Sequence, residues 1–254
     1  MDRLTTCPPN SNVDKDNKNP RKAFKVSNLS VSKSNNLIDA SYKLNAQAQK
    51  LVLACLGKVD SRPEKSVPKE ISLTASEFSS MMGIDMKNAH RELYKAADAL
   101  FKSSIVLRDE KEEVELCWIQ KKVKKIKGEG AVTLTWSDDV LKYICQLQSR
   151  FTTYKLRNIA TLQSSHSIRI YELLMRFNAT GERVIYLEDF KSALGIADKY
   201  PQYRDLAKRV IKPSIAELNQ RSDLVIKFET IKKGRSVSAL SFEFKKSTQL
   251  KMDV

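Results

Sequence analysis

The sequence lacks the motifs from which most active sites are built. It contains no Gly-x-x-x-x-Gly-Lys-Ser/Thr loop for nucleotide phosphates, no Gly-x-Gly-x-x-Gly motif and no His-Glu-x-x-His motif. Its only histidines, His90 and His166, are far apart in the chain and have no third metal ligand nearby. The adjacent Asp138 and Asp139 are more typical of a helix start than of a metal-binding pair. We therefore expect a protein that is not an enzyme and that uses no cofactor or metal.

Long apolar runs and paired cysteines are also scarce. No apolar stretch approaches the roughly 18 residues that a membrane-spanning helix needs, and residues 1–20 lack the apolar core of a signal peptide. The four cysteines form no Cys-x-x-Cys pair, which is typical of free thiols in a reducing compartment; they are Cys7, Cys55, Cys117 and Cys145. The sequence therefore predicts a cytoplasmic protein with no membrane partner.

Acidic residues are fewer than basic residues. The 45 Lys and Arg residues outnumber the 30 Asp and Glu residues, which gives a formal net charge of +15. Both halves of the chain carry an excess of positive charge, so it is not confined to one basic tail. Such a balance favours a polyanionic partner. Charge alone fits nucleic acid or an anionic membrane surface, so the expectation of no membrane partner rests on the missing apolar segments.

The composition changes at both ends of the chain. Residues 1–35 are rich in Asn, Ser, Lys and Pro, and so few apolar residues cannot offset the entropy of ordering. We expect a mobile N-terminal tail there and a C-terminal tail at 247–254. Between the tails, the pattern predicts two domains, at 36–148 and 149–246.

The first domain is predicted to open with a single helix. Apolar residues recur at helical spacing from Leu37 to Cys55, and Gly57 is a plausible end. Leu37, Leu44 and Leu51 are also seven residues apart. That spacing fits the buried stripe of an ordinary helix better than it fits a leucine zipper, although both remain open.

A helix-turn-helix pattern follows a short strand at 71–73. Thr74 and Glu77 form a capping-box pair that begins one helix, and Gly83 can adopt the left-handed conformation that ends it. Asp85 is a natural cap for the next helix. The apolar face of that helix is predicted to be Ala89, Leu93, Ala96, Ala97 and Leu100. Strands beginning at Ile105 and spanning 113–127 and 131–136 predict a wing, and Asp138 is expected to cap a further helix.

The second half of the chain repeats this plan. Residues 78–84 and 190–196 share the pattern Phe-x-Ser-x-(Met/Leu)-Gly-Ile. Each copy follows a strand and precedes an amphipathic helix, which spans 202–219 in the second copy, and paired strands follow at 224–228 and 239–244. The same order of elements around the same letters predicts an α+β protein with tandem winged helix-turn-helix domains related by internal duplication.

Both helices that follow the turns carry basic residues opposite their apolar faces. In the first domain these residues are Lys87, Asn88, Arg91 and Lys95. In the second domain they are Arg204, Lys208, Arg209 and Lys212, opposite a predicted apolar face of Leu206, Val210, Ile211, Ser214 and Leu218. A helix in the major groove needs this arrangement, because one side anchors to the domain while the other offers Arg and Lys to bases and phosphates. A solvated basic face is the alternative. However, each of these helices is the second helix of a helix-turn-helix, and that position favours insertion into the groove.

Two further basic clusters lie on the predicted wings. The first comprises Lys121, Lys122, Lys124 and Lys125. The second flanks Gly234 and comprises Lys232, Lys233 and Arg235. Such tips usually contact phosphate or the minor groove, which adds affinity but little sequence information. A solubilising turn is the alternative.

Pro213 lies inside the second basic helix. It removes one backbone hydrogen bond and should bend the helix or loosen it near Arg209. The kink could fit the helix to a groove or could simply be tolerated.

Several segments together resemble the iteron-binding plasmid replication initiators. They are Arg150-Phe-Thr-Thr-Tyr154, Ser167-Ile-Arg-Ile-Tyr-Glu-Leu-Leu174, Val210-Ile-Lys-Pro-Ser-Ile-Ala-Glu-Leu-Asn219 and Lys232-Lys-Gly-Arg235 ahead of a Phe-x-Phe strand. The resemblance covers roughly residues 36–246 and is densest after Arg150.

The resemblance implies that two winged-helix domains grip one origin repeat, each with a helix in a successive major groove. It makes the basic helix residues of both domains the leading contacts to double-stranded DNA. It also implies that monomers open the origin and help to recruit the host replication initiator and the replicative helicase. Dimers would repress the initiator's own gene and limit copy number, and chaperones would shift the monomer–dimer equilibrium.

Two other functions remain open. A transcription regulator could use the same paired winged helices with no role in replication. An enzyme acting on nucleic acid, such as a nickase, is disfavoured because rolling-circle nickases and relaxases use a paired-histidine metal site with a tyrosine.

Overall fold

The computed structural model describes residues 29–60, 68–108, 111–125, 127–144 and 150–247. Most of both predicted tails, Cys7 and Cys145 lie outside these residues. The strands are β1 (Ser30–Ser34), β2 (Glu70–Thr74), β3 (Ser104–Arg108), β4 (Glu113–Cys117), β5 (Ile119–Lys125), β6 (Ala131–Trp136), β7 (Phe151–Lys155), β8 (Glu182–Tyr186), β9 (Leu224–Lys233) and β10 (Ser236–Lys246). The helices are α1 (Asn35–Asp39), α2 (Ala46–Gly57), α3 (Ala75–Met82), α4 (Met86–Phe101), α5 (Asp138–Ile144), α6 (Ser165–Met175), α7 (Leu187–Ala193), α8 (Tyr203–Leu206) and α9 (Lys212–Arg221).

Two three-stranded antiparallel sheets have the same strand order. The first is β2-β6-β5 and the second is β8-β10-β9. In each sheet, the strand that precedes the helix pair is hydrogen-bonded to the last strand in sequence. That last strand lies at the centre of the sheet and also pairs with the strand before it in sequence. We call β2, α3, α4, β5 and β6 the first unit, and β8 to β10 with α7 to α9 the second unit. The shared topology confirms the predicted fold class of tandem winged helix-turn-helix domains.

The predicted strand at 113–127 is two strands in two different sheets. β4 pairs with β3 in a separate two-stranded sheet, whereas β5 joins β6 in the first unit. The break falls at Trp118, whose side chain is fully buried and meets the Tyr42 ring edge-on at a centroid distance of 5.0 Å. Trp118 and Ile119 are both buried, so the in–out alternation changes phase between them and one strand cannot continue.

The single helix predicted from Leu37 to Gly57 is also interrupted. α1 ends at Asp39, and Ser41 then exchanges backbone hydrogen bonds with Val106 of β3. Asn45 starts α2 anew, because its side chain accepts a hydrogen bond from the N–H of Ala48 at 2.8 Å. Three leucines at seven-residue spacing are buried in the protein's own core but lie in α1, in the connection after it and in α2, so they form neither a zipper nor the stripe of one helix: Leu37, Leu44 and Leu51.

Residues 30–35, which composition alone assigns to the tail, form β1 and the first residue of α1. β1 pairs antiparallel with β7, with Ser30 opposite Lys155 and Ser34 opposite Phe151. Composition did not predict β1, because only two of its residues are buried, Val31 and Lys33, and one of these is a lysine. β1 and β7 lie on opposite sides of the boundary placed at residue 148, and the division at that residue stays a prediction.

A buried polar network lies on α6, which packs against α1, α2 and α9. Glu172 accepts hydrogen bonds from Lys33 Nζ at 2.6 Å, from the Tyr154 hydroxyl at 2.6 Å and from Arg169 Nη1 at 2.8 Å. Burial opposes ionisation of Glu172, but the charges of Lys33 and Arg169 outweigh it and lower the Glu172 pKa to about 2. The carboxylate is therefore ionised inside the core.

No helix within the described residues has the length and apolarity needed to cross a membrane.

Candidate nucleic-acid interface

The first helix-turn-helix forms through the caps that its sequence predicts. Thr74 and Glu77 make the capping box in both directions, and Gly83 ends α3 at φ 62°. The Asp85 side chain accepts a hydrogen bond from the N–H of Lys87 at 2.8 Å and so begins α4. The predicted apolar face is buried in full: Ala89, Leu93, Ala96, Ala97 and Leu100.

The opposite face of α4 is exposed and basic. It carries the predicted residues Lys87, Asn88, Arg91 and Lys95. Arg91 Nη2 donates to Asn88 Oδ1 at 2.9 Å, and Arg91 Nε lies 3.3 Å from Glu92 Oε1. These surface contacts orient the guanidinium along the helix without burying it. The group therefore remains accessible to acceptors on a groove edge.

Met86 is exposed at the N-terminal end of α4, outside the predicted basic face, and was not predicted from the sequence. It is 55% exposed in the first turn of α4, beside the Asp85 cap. An apolar side chain at the leading end of a helix can contact the methyl group of thymine. Its position directly after the cap is the signal that could have identified it.

The four lysines of β5 divide into two pairs with different surroundings. Lys122 and Lys124 turn back towards α4 and bind both oxygens of Asp98, with Lys124 Nζ at 2.6 Å. Their hydrogen bonds lower the pKa of Asp98. Lys121 and Lys125 point to the other side and are exposed, and Lys121 Nζ lies 3.9 Å from Glu70. Only the second pair is well placed to contact an external phosphate.

The second basic helix buries its predicted face and exposes its predicted contacts. Leu206, Val210, Ile211, Ser214 and Leu218 are all buried. The exposed residues are Arg204, Lys208, Arg209 and Lys212.

This helix is not the continuous α-helix predicted for 202–219. Between α8 and α9, the five residues Ala207–Ile211 form a π-helical turn, in which the N–H of Lys212 donates to the Ala207 carbonyl. Pro213 has no N–H for the Arg209 carbonyl four residues back, so a regular ladder cannot pass this point. The predicted disturbance near Arg209 is confirmed.

The wider turn also affects the basic surface. In an α-helix, residues four apart drift steadily around the axis, because a turn takes about 3.6 residues. A π turn holds more residues and counters that drift. Arg204, Lys208 and Lys212 follow a spacing of four, and the π turn therefore keeps them more closely aligned.

The second wing is a long hairpin of β9 and β10. Its strands are 10 and 11 residues long, and its outer part from 229 to 236 is exposed. Gly234 turns the chain at φ 64°, and a Cβ placed there would meet no atom within 4 Å. The predicted cluster of Lys232, Lys233 and Arg235 therefore stands at an open, projecting tip.

Each unit thus presents a basic helix and a basic hairpin. Among the residues that the structure describes, no group of three or more His, Cys, Asp or Glu side chains is placed to hold a metal ion. These features define a tandem winged-helix protein with a positively charged outer surface.

Comparison with known families assigns the chain more closely. Residues 30–175 match the model of the initiator replication protein WH1 domain, and residues 186–244 match that of the initiator Rep protein WH2 domain. The chain belongs to the initiator replication protein family, as the segments after Arg150 indicated.

Individual relatives and one solved structure are similar to this chain over most of its length. A replication initiation protein of Escherichia coli is 28% identical over 233 residues, which cover 89% of this chain and 72% of the relative. An uncharacterized 27.6 kDa protein of Escherichia coli is 20% identical over 222 residues, covering 82% of this chain and 92% of the relative. The crystal structure of the Pi initiator protein in complex with iteron DNA superposes with a TM-score of 0.74 at 22% identity, over 88% of this chain and 99% of that one. This last likeness shows the shared fold.

Proposed function

We propose that the chain is a plasmid replication initiator that binds direct repeats at an origin through two winged-helix units. The observation that carries the proposal is the duplicated arrangement of the basic helices. In each unit a capped or packed helix buries one face completely and exposes Arg and Lys on the other. A related fold is known in complex with iteron DNA, which supports the same use of these faces here.

The roles of individual residues follow from their surroundings. Arg91 and Arg209 are exposed guanidinium groups on the two helices, and guanidinium can pair with both acceptors of a guanine edge. The lysines of α4, of the π turn and of the hairpin tip supply charge for phosphates. Lys122 and Lys124 support α4 through Asp98 rather than contacting DNA.

The wider role extends beyond binding. In this proposal the bound protein opens the neighbouring origin DNA and recruits the host replication initiator and the replicative helicase. A dimer represses the initiator's own gene, and chaperones shift the equilibrium towards the monomer. The protein works in the bacterial cytoplasm and catalyses no reaction of its own.

A binding titration tests the core of the proposal. Fluorescence anisotropy would compare a duplex carrying one direct repeat from beside the coding sequence with a shuffled duplex of equal length, about two helical turns. Specific binding should be at least roughly 10³-fold tighter at physiological salt. Equal affinity for both duplexes would refute sequence-specific recognition. Reproducible site-specific nicking of supercoiled origin DNA with a divalent metal would refute the non-enzymatic role.

Replication is tested separately. A plasmid that carries the repeats should be maintained only when the protein is supplied in trans. If repeat binding is tight but the plasmid is not maintained, the protein is a transcription regulator instead.

A further inference from the structure

A cavity of about 390 Å³ lies between the two units, and the proposed DNA contacts do not use it. One side is formed by the connection from α1 to α2, by α2 itself and by Ala99 of α4 in the first unit. The other is formed by the segment from α7 to α8, and the first turn of α6 closes the cavity. A pocket of this size is typical of small-molecule sites, which often lie at domain junctions.

The charges around the cavity are of one sign. Lys43 and Lys199 stand exposed at its rim, and His166 is partly buried inside it. None of the described residues that line it is Asp or Glu. Arg169 also lines it, but Arg169 is engaged with Glu172 and with backbone carbonyls. The positive charges of Lys43 and Lys199 therefore face the cavity without a carboxylate in its lining.

One buried acceptor next to the cavity has no hydrogen-bond partner among the described residues. Gln49 on α2 is 5% exposed, and its Nε2 donates to the Leu44 carbonyl at 3.1 Å. Its Oε1 is buried and has no hydrogen-bond partner among the described residues. A buried polar atom without a partner is costly. Oε1 is not accessible to solvent, so a ligand in the cavity can reach it with an N–H group only if the Gln49 side chain turns.

An aromatic side chain completes the lining. Tyr200 is half-buried at the cavity wall, and its backbone is held at φ 54°. That conformation is uncommon for a residue other than glycine and tends to persist where surrounding structure enforces it. Aromatic faces of this kind stack with nucleobases.

From these features, we propose that the cavity binds a nucleoside phosphate. The phosphate lies between Lys43 and Lys199, and the base stacks on Tyr200. The Gln49 side chain turns on binding, so that its Oε1 accepts an amino or imino N–H of the base. Because Ala99 of α4 and the segment that leads into α8 both line the cavity, a bound nucleotide stabilises one relative arrangement of the two basic helices. That consequence for DNA affinity rests on the proposed function, whereas nucleotide binding itself does not.

The test is a calorimetric titration of the full chain without DNA. The probes are ATP, GTP, AMP and inorganic tripolyphosphate. We expect at least one nucleotide to bind with a stoichiometry of about one and more tightly than tripolyphosphate. The double variant Lys43→Ala/Lys199→Ala should weaken nucleotide binding at least about tenfold, because it removes both phosphate partners. The matched control Lys142→Ala/Lys245→Ala removes the same charge away from the cavity and should leave the affinity unchanged.

Two more variants separate the base from the phosphate. Gln49→Met removes the unpaired acceptor, and Tyr200→Asn removes the ring with a residue that tolerates positive φ. Both should weaken nucleotide binding while leaving tripolyphosphate binding intact, and thermal unfolding would establish that they fold.

Several outcomes would overturn the proposal. These are absence of nucleotide binding, equal binding by the Lys43→Ala/Lys199→Ala variant, and tripolyphosphate binding as tight as that of the best nucleotide. If the double variant instead loses affinity for all duplex DNA while no free nucleotide binds, the cavity serves the DNA backbone. Failure of the origin-repeat titration would leave these DNA-free results unaffected.

Discussion

Arg169 and Glu172 lie one turn apart on α6, and both side chains are buried, with Arg169 Nη1 2.8 Å from Glu172 Oε2. Arg169 also donates to the carbonyls of Ile38 and Ala40, at 2.7 and 3.0 Å, and to that of Ala193 at 2.9 Å. The first two carbonyls follow β1 and the third ends α7. The pair thus holds the N-terminal part of the chain and the second unit on the same helix.

We predict that Glu172→Gln lowers the free energy of unfolding by about 3–5 kcal/mol, because it leaves Lys33 and Arg169 buried without a counter-charge. Urea denaturation at neutral pH measures the change. The control is Asp139→Asn, which breaks an exposed pair with Lys142 and should cost less than about 1 kcal/mol. Equal effects of the two substitutions would contradict the assigned role of Glu172.

The same carboxylate predicts a pH dependence. The folded-state pKa of Glu172 is about 2, below its ordinary value of 4.5. A lowered carboxyl pKa stabilises the fold above pH 4.5, and that stability is lost as the pH falls from there to about 2, an effect of about 3 kcal/mol. Unfolding free energies measured across this range should fall more steeply for the wild type than for Glu172→Gln. Parallel curves would show that Glu172 does not titrate as described.

Arg209→Ala should weaken binding to the specific repeat by roughly 1–3 kcal/mol and leave binding to shuffled DNA nearly unchanged, because a guanidinium on a groove edge reads a base. Anisotropy titrations on both duplexes measure the difference. Arg108→Ala in β3 removes another exposed arginine, which pairs with Glu113 and is not among the proposed DNA contacts, and should have little effect. An unchanged specific affinity for Arg209→Ala would place the recognition helix elsewhere.

Lys233→Ala should weaken binding to every sequence about equally. The hairpin tip contacts phosphate in this proposal, so the slope of log K against log salt should decrease by about 1. Titration at several salt concentrations measures it. A loss confined to the specific repeat would mean that the tip reads bases.

The lysines of β5 provide a matched pair of double variants. Lys121→Ala/Lys125→Ala should reduce the salt slope by about 2, because both residues are exposed. Lys122→Ala/Lys124→Ala removes the same charge but mainly releases Asp98. It should therefore lower stability more than the first variant and lower DNA affinity less. The reverse order would show that Lys122 and Lys124 leave Asp98 to bind DNA.

Features that depend on neighbouring residues could be predicted from the sequence alone. The capping box of Thr74 and Glu77, the Asp85 cap and the left-handed Gly83 all act within four residues, so their letters specify them. The buried and exposed faces of both basic helices follow from helical periodicity in the same way. The repeated Phe-x-Ser-x-(Met/Leu)-Gly-Ile pattern then indicated the duplication, and the excess of Lys and Arg indicated a polyanionic partner.

Only the tertiary structure decided the features that join distant parts of the chain. β1 pairs with β7 more than 100 residues away, so its backbone hydrogen bonds have no local signal. Trp118 splits a strand because it is buried, and Tyr42, which its ring meets edge-on, comes from a distant part of the chain. Nothing in the local sequence distinguishes Lys122 and Lys124 from Lys121 and Lys125, but Asp98 on α4 forms ion pairs only with Lys122 and Lys124. The burial of ionised Glu172 and of the unpaired Gln49 oxygen likewise depends on how separate segments pack, and local sequence patterns do not encode that packing.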